Sequence, residues 1–147
     1  MKEIKTIGVV GAGQMGSGIA QVAAVSGYSV LLFDAFPGVA AKAVERIQAS
    51  LSKLLGKGKL EQAVYDAASK AISVVDSLEA VAKADLVVEA AVEKVELKKE
   101  IFATLDKAAA PGVILASNTS SISLCQRHSE IVRKRRRNFV VFRRKGG

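Results

Sequence analysis

The chain has 147 residues, half of them hydrophobic, with no Trp, one Cys and a formal charge of +8. That length and apolar fraction suit one domain with a real core and exclude disorder for most of the chain. No apolar run reaches the roughly 18–20 residues of a membrane helix, and a single Cys excludes an internal disulfide and fits a cytoplasmic protein.

Met1 to Lys5 leads straight into a strand-like run with no signal-peptide pattern. Ile4 to Val10 is β-branched and ends at Gly11, which predicts a buried parallel strand. Helical spacing from Gln14 to Ser26, stopped by Gly27, is followed by a second strand over Ser29 to Phe33, closing on Asp34. Pro37 sits where a first helical turn favours it, and the helix it opens is expected to run to about Leu55. Gly56 to Lys59 breaks that helix, and a second is expected over Leu60 to Lys70, making a helical hairpin of about residues 38–70.

Strands are then expected over Ile72 to Val75, Asp85 to Ala90 and Val113 to Ala116. Helices should separate them over Ser77 to Lys83, capped by Ser77, and over Glu93 to Ala109. Strands alternating with helices imply βαβ units, hence an α/β fold with a parallel sheet of Rossmann type and helices on both faces. The hairpin is an insertion on that plan.

Gly11-Ala12-Gly13-Gln14-Met15-Gly16 fits the GxGxxG pattern between a strand and a helix. Gly11 permits the tight turn, Gly13 lets backbone amides reach a pyrophosphate, and Gly16 lets helix and strand pack closely. The helix N-terminus then stabilises the phosphate charge. Asp34, 18 residues after Gly16, is placed to accept hydrogen bonds from an adenosine ribose. A carboxylate there repels a 2′-phosphate, so NAD is expected rather than NADP. No metal site is expected.

Three longer segments carry a more specific signal: Ile7 to Gln21, Asp85 to Glu93, and Ala116-Ser117-Asn118-Thr119-Ser120-Ser121-Ile122-Ser123. In this order and spacing the sequence resembles the 3-hydroxyacyl-CoA dehydrogenase family, particularly its 3-hydroxybutyryl-CoA members, over residues 1–123. The resemblance implies an NAD-binding domain followed by a helical domain that completes the active site and dimerises. It implies reversible oxidation of a 3-hydroxyacyl-CoA by hydride transfer, with a His–Glu pair as base and a Ser positioning the substrate oxygen. Residue by residue it places NAD at the glycine turn and Asp34, with Glu93 and Lys98 near the ribose and nicotinamide end. Ser120 matches the active-site Ser, and Ser50 and Lys57 on the hairpin match positions that touch CoA. Taken alone, each of these has an ordinary reading: exposed helix residues, surface charges, a polar strand end.

After Ser123 the resemblance stops. The family continues toward a His-containing strand, but here Leu124-Cys125-Gln126-Arg127-His128 leads into a basic run. Residues 1–123 hold 13 Lys/Arg and 13 Asp/Glu, a net of zero, whereas residues 124–147 hold nine Lys/Arg against Glu130, and 9 − 1 = +8. Where the family's His falls, 21 residues beyond Ser120, stands Val141. His128, the one His, comes too early, and the partner Glu and second domain are absent, so the chain reads as a truncated, catalytically impaired form.

Two readings of residues 124–147 stand. Read one base later, permitted codons for Leu124 to Asn138 spell a stretch like the family's approach to its His, although the codon for Phe139 does not yield that His. This makes the segment the mark of a shifted frame. Alternatively, Arg133-Lys134-Arg135-Arg136-Arg137 is a basic patch that binds nucleic acid through counterion release, although no interleaved aromatics suggest base stacking. On either reading, Asn138 to Phe142 is apolar enough for a sixth strand. Three function classes follow: an acyl-CoA dehydrogenase lineage, a noncatalytic NAD-binding module, and an anion-binding protein acting through its tail. Acyl-chain length and oligomeric state are not encoded in these motifs.

Overall fold

The structure is a computed structural model of the chain and describes residues 3–90, 95–118 and 139–142. Six strands, β1 (Thr6–Val10), β2 (Ser29–Phe33), β3 (Ile72–Val74), β4 (Leu86–Glu89), β5 (Ile114–Asn118) and β6 (Phe139–Phe142), form one sheet in the order β3-β2-β1-β4-β5-β6. Every pairing is parallel. The expected strands are all present, each within one or two residues of its sequence bounds. Phe139–Phe142 takes the sixth position, with Leu115 opposite Phe139 and Ser117 opposite Val141.

Period-two alternation sorts the strand side chains into two cores. Ile7, Val9, Val30, Leu32 and Val88 join the face packed by α1 (Gln14–Val25), α2 (Val39–Gly56) and α3 (Gln62–Ala71). Val10, Val87 and Leu115 join the other face, with Val81 of α4 (Leu78–Val81) and Ile101, Phe102 and Leu105 of α5 (Val95–Ala108). On α2, Ala43, Ile47 and Leu51 recur every four residues and are buried, giving the helix one apolar stripe toward α1 and the sheet.

The hairpin is confirmed as α2 and α3, and Ser52 Oγ lies 3.2 Å from the Tyr65 hydroxyl between them. Its entry differs from expectation. Pro37 precedes the helix instead of opening it, because Gly38, in the left-handed region at φ +79°, is the N-cap and Val39 the first helical residue. Ser77 caps α4 as expected, its Oγ accepting the Ala80 N–H at 3.2 Å.

β1 lies at the centre, with β2 on one side and β4 on the other. The chain leaves β1 toward β2 and later resumes at β4 toward β5, so the β1/β4 boundary is the topological switch point where open α/β sheets bind ligands. Gly8 brings β1 close to α4: a Cβ there would sit 2.7 Å from Val81 Cγ1 and 3.0 Å from its carbonyl oxygen. At the opposite end of the strands, Asp85 Oδ2 accepts the backbone N–H groups of Lys5 and Thr6 at 2.9 and 3.0 Å, tying β1 to the start of β4.

Candidate dinucleotide site

The turn that follows β1 is built from main-chain geometry. Gly11 has φ +105°, a region L side chains rarely adopt, and its N–H donates to the Phe33 carbonyl at 2.8 Å. This bond bends the chain away from β1 while holding it against the end of β2. Gly16 faces back into the turn, and a Cβ there would overlap the Gly11 carbonyl. The third glycine is therefore needed by the turn itself.

Gly13 differs. Its backbone is extended, at φ −74° and ψ −165°, and a Cβ would meet nothing within 4 Å. Among the described residues nothing crowds a side chain here, and the space left open lies beside the start of α1. Gly13 is also the N-cap of α1 and supplies no side-chain cap, and the first turn carries no acidic residue. Among the described residues the amides that open α1 thus have no side-chain acceptor, and the positive end of the helix dipole meets the open space. Uncapped amides beside a position cleared of side chain suit a bound pyrophosphate, so the residues present fit a dinucleotide. Gln14 and Met15 continue into the first turn, Met15 being 41% exposed, while Ala12 is fully buried.

Asp34 directly follows β2 and is half-buried. Its Oδ2 accepts the Ala12 N–H at 2.8 Å and its Oδ1 the Phe36 N–H at 2.9 Å. The carboxylate is thus a brace for the glycine turn, a role the motif spacing does not reveal. Each oxygen retains a second lone pair, so the brace does not exclude a ribose hydroxyl.

Two further groups meet the turn without any signal in the motif. Ser17 Oγ donates to the Ala12 carbonyl at 3.2 Å. Arg46 of α2 reaches the same carbonyl with Nη2 at 3.2 Å, and lies 3.4 Å from Ser17 Oγ. Arginine at position 46 and Ala12 are 34 residues apart, and only the packing of α2 on α1 joins them. A fully buried carboxylate, Glu89, ends β4 opposite Val10 and accepts the Ser117 hydroxyl at 2.7 Å. This pair fastens the last rungs of β4 and β5 beside the switch point.

The remaining expected residues are distributed as follows. Ser50 lies on α2, half-buried, its Oγ accepting the Gln21 side-chain amide of α1 at 3.1 Å. Lys57 is the exposed C-cap of α2. Lys98 lies on α5, with its side chain outside the described residues, as are Glu93 and Ser120 entirely; Cys125 and His128, given no site role by the sequence, also lie outside them. Val141, where the family's His is expected, falls within β6. No helix among the described residues is long and apolar enough to cross a membrane.

An all-parallel sheet ordered 3-2-1-4-5-6, with a glycine turn and an acidic residue closing the second strand, defines a Rossmann-type dinucleotide-binding domain. The family described as 3-hydroxyacyl-CoA dehydrogenase, NAD binding domain, matches residues 6–142, and the chain belongs to it. NAD is the cofactor of that domain. The match runs to the end of β6. The probable 3-hydroxybutyryl-CoA dehydrogenase of Bacillus subtilis is 43% identical over 124 residues, covering 84% of this chain and 43% of the relative. The 3-hydroxyadipyl-CoA dehydrogenase of Escherichia coli is 40% identical over 131 residues, 89% of this chain and 28% of the relative. Among solved structures, the (S)-3-hydroxybutyryl-CoA dehydrogenase of Ralstonia eutropha superposes with a TM-score of 0.83 at 37% identity, over 96% of this chain and 49% of that one. The chain therefore spans less than half the length of these relatives.

Proposed function

We propose that these residues form the cofactor-binding half of an NAD-dependent 3-hydroxyacyl-CoA dehydrogenase of the 3-hydroxybutyryl type, working in the cytoplasm. The observation that carries the reading is the Gly13 position: an uncapped helix start beside space that no described residue fills within 4 Å of an added Cβ. In this reading Gly11, Ala12, Gly13, Gln14, Met15 and Gly16 cradle the pyrophosphate, and Asp34 accepts the adenosine ribose while bracing the turn. Its negative charge disfavours a 2′-phosphate, so NADH should bind more tightly than NADPH. Glu93 and Lys98 serve the nicotinamide end, Ser120 orients the substrate oxygen, and Ser50 and Lys57 meet CoA, Lys57 as a flexible point charge for its phosphates. When bound, the nicotinamide supplies the hydride acceptor for oxidation of the 3-hydroxyl carbon.

On its own the 147-residue chain binds cofactor but turns over little substrate. General-base catalysis needs a positioned base within hydrogen-bond reach of the hydroxyl, and His128 lacks the sequence setting for that role. The departure after Ser123 is assigned to a shifted reading frame, which the gene's nucleotide sequence checks: no family-like continuation in another frame removes it. NADH fluorescence titration tests the cofactor reading. Saturable binding that exceeds NADPH binding is expected, and absence of binding overturns it. Acetoacetyl-CoA should cause NADH loss no faster than background, and turnover well above background overturns the inactivity. DNA binding that disappears on deletion of residues 124–147, with steep salt dependence, would instead favour the anion-binding alternative.

A further inference from the structure

Arg46 is the sole arginine in residues 1–123, and it sits on an exposed part of α2. Its guanidinium turns back toward the glycine turn, with Nη2 3.2 Å from the Ala12 carbonyl oxygen and 3.4 Å from Ser17 Oγ. The second contact is long, so the bond to the carbonyl is the stronger one. On the other side of the same residue, the Ala12 N–H is held by Asp34 Oδ2 at 2.8 Å. Both main-chain polar groups of Ala12 are thus gripped by charged side chains of opposite sign, one from the end of β2 and one from α2.

The carbonyl of Ala12 and the N–H of Gly13 belong to one planar trans peptide and point in opposite directions. Pinning the carbonyl toward α2 therefore aims the Gly13 N–H away from α2. Gly13 is the N-cap of α1, and a Cβ on it would meet nothing within 4 Å, so open space lies beside that residue. We propose that Arg46 is a positioning residue for the cofactor: it fixes the Ala12–Gly13 peptide plane so that the Gly13 amide is already aimed at the pyrophosphate before binding. A donor oriented in advance loses no orientational freedom on binding, which is how preorganisation raises affinity. A guanidinium suits the task because its planar fork fixes the direction of each N–H, and the two on Nη2 alone reach both acceptors. The ammonium of a lysine carries the same charge without that fork.

The cofactor arm of this inference rests on the NAD reading above; the peptide-plane arm does not. The test compares Arg46→Met and Arg46→Lys with Lys53→Met, which removes the same charge from the same helix two turns on, where no bond to the turn exists. In ligand-free protein, Arg46→Met should move the ¹H–¹⁵N resonances of Gly13 and Ser17, Arg46→Lys should move them less, and Lys53→Met should leave them in place. In NADH titrations, Arg46→Met should weaken binding about three- to tenfold, the size of one lost hydrogen bond. Arg46→Lys should fall between it and the unaltered chain, and Lys53→Met should bind normally. Unmoved Gly13 and Ser17 resonances in Arg46→Met overturn the proposal. So does equal weakening by Arg46→Met and Lys53→Met, which would make the effect one of net charge. If the unaltered chain binds no NADH, the cofactor reading falls and the amide resonances alone decide whether Arg46 holds the turn.

Discussion

A methyl group added at Gly16 would overlap the Gly11 carbonyl, whereas one added at Gly13 would meet nothing within 4 Å. Two glycines of one motif therefore answer to different demands, and the same substitution separates them. Gly16→Ala must push α1 off the turn and should cost about 1–3 kcal/mol of stability, read as a lower midpoint in urea denaturation. Gly13→Ala keeps an ordinary backbone conformation and should stay within about 1 kcal/mol of the unaltered chain. It should nevertheless lose NADH affinity at least as severely as Gly16→Ala, because the methyl occupies the space the pyrophosphate needs. Wild-type affinity in Gly13→Ala would remove that space from the binding site. Asp34 carries a related caution: its two bonds to backbone N–H groups mean that truncating it disturbs the turn together with any ribose contact.

Among the elements, β1 and α4 approach closely at Gly8. α4 has only four residues and depends on its Ser77 cap and on Val81, which is fully buried. A Cβ at residue 8 would stand 2.7 Å from Val81 Cγ1, 3.0 Å from the Val81 carbonyl and 3.2 Å from Ala84 Cβ. Gly8→Ala should therefore destabilise by about 1–3 kcal/mol. Val81→Ala in the same chain should recover part of that loss, since the side-chain clash disappears while the backbone contact stays. A urea double-mutant cycle measures the coupling, and strict additivity would show that β1 and α4 do not meet as described. The hairpin is a second element with consequences beyond its length. By laying α2 on α1 it brings Arg46 to the glycine turn and Ser50 to Gln21, so the insertion braces the glycine turn and the helix behind it.

For the molecule as a whole, the sheet joins two cores that share no helix among the described residues, and the glycine turn follows β1, whose Val9 and Val10 lie one in each core. Beside α1 runs an open apolar groove of about 960 Å³, bordered by Ile7, Met15, Ile19, Val22, Leu86 and Val88. Val22 is 66% exposed there. Cofactor binding at the glycine turn should stabilise the entire cooperative unit, since a ligand bound only to the folded state adds RT ln(1 + [L]/Kd). At NADH concentrations 100-fold above Kd the gain should be about 2.7 kcal/mol, seen as a matching rise in the unfolding free energy. A rise confined to part of the transition would mean that the two cores unfold separately.

The sequence by itself determined the element order, the parallel α/β class, the glycine turn and the family, because apolar period, helix caps and turn glycines are read within a few residues. It also marked Asn138 to Phe142 as strand-like, since a short apolar run needs only its own composition to suit a sheet. Only the tertiary structure showed which atoms constrain Gly8 and Gly16, because those atoms are brought against them in the fold. The same holds for the Asp34 brace on Ala12, the buried Glu89–Ser117 pair and the reach of Arg46 across 34 positions. These contacts join residues on different elements, and no local pattern encodes a partner that becomes a neighbour only after the sheet has formed and the helices have packed on it.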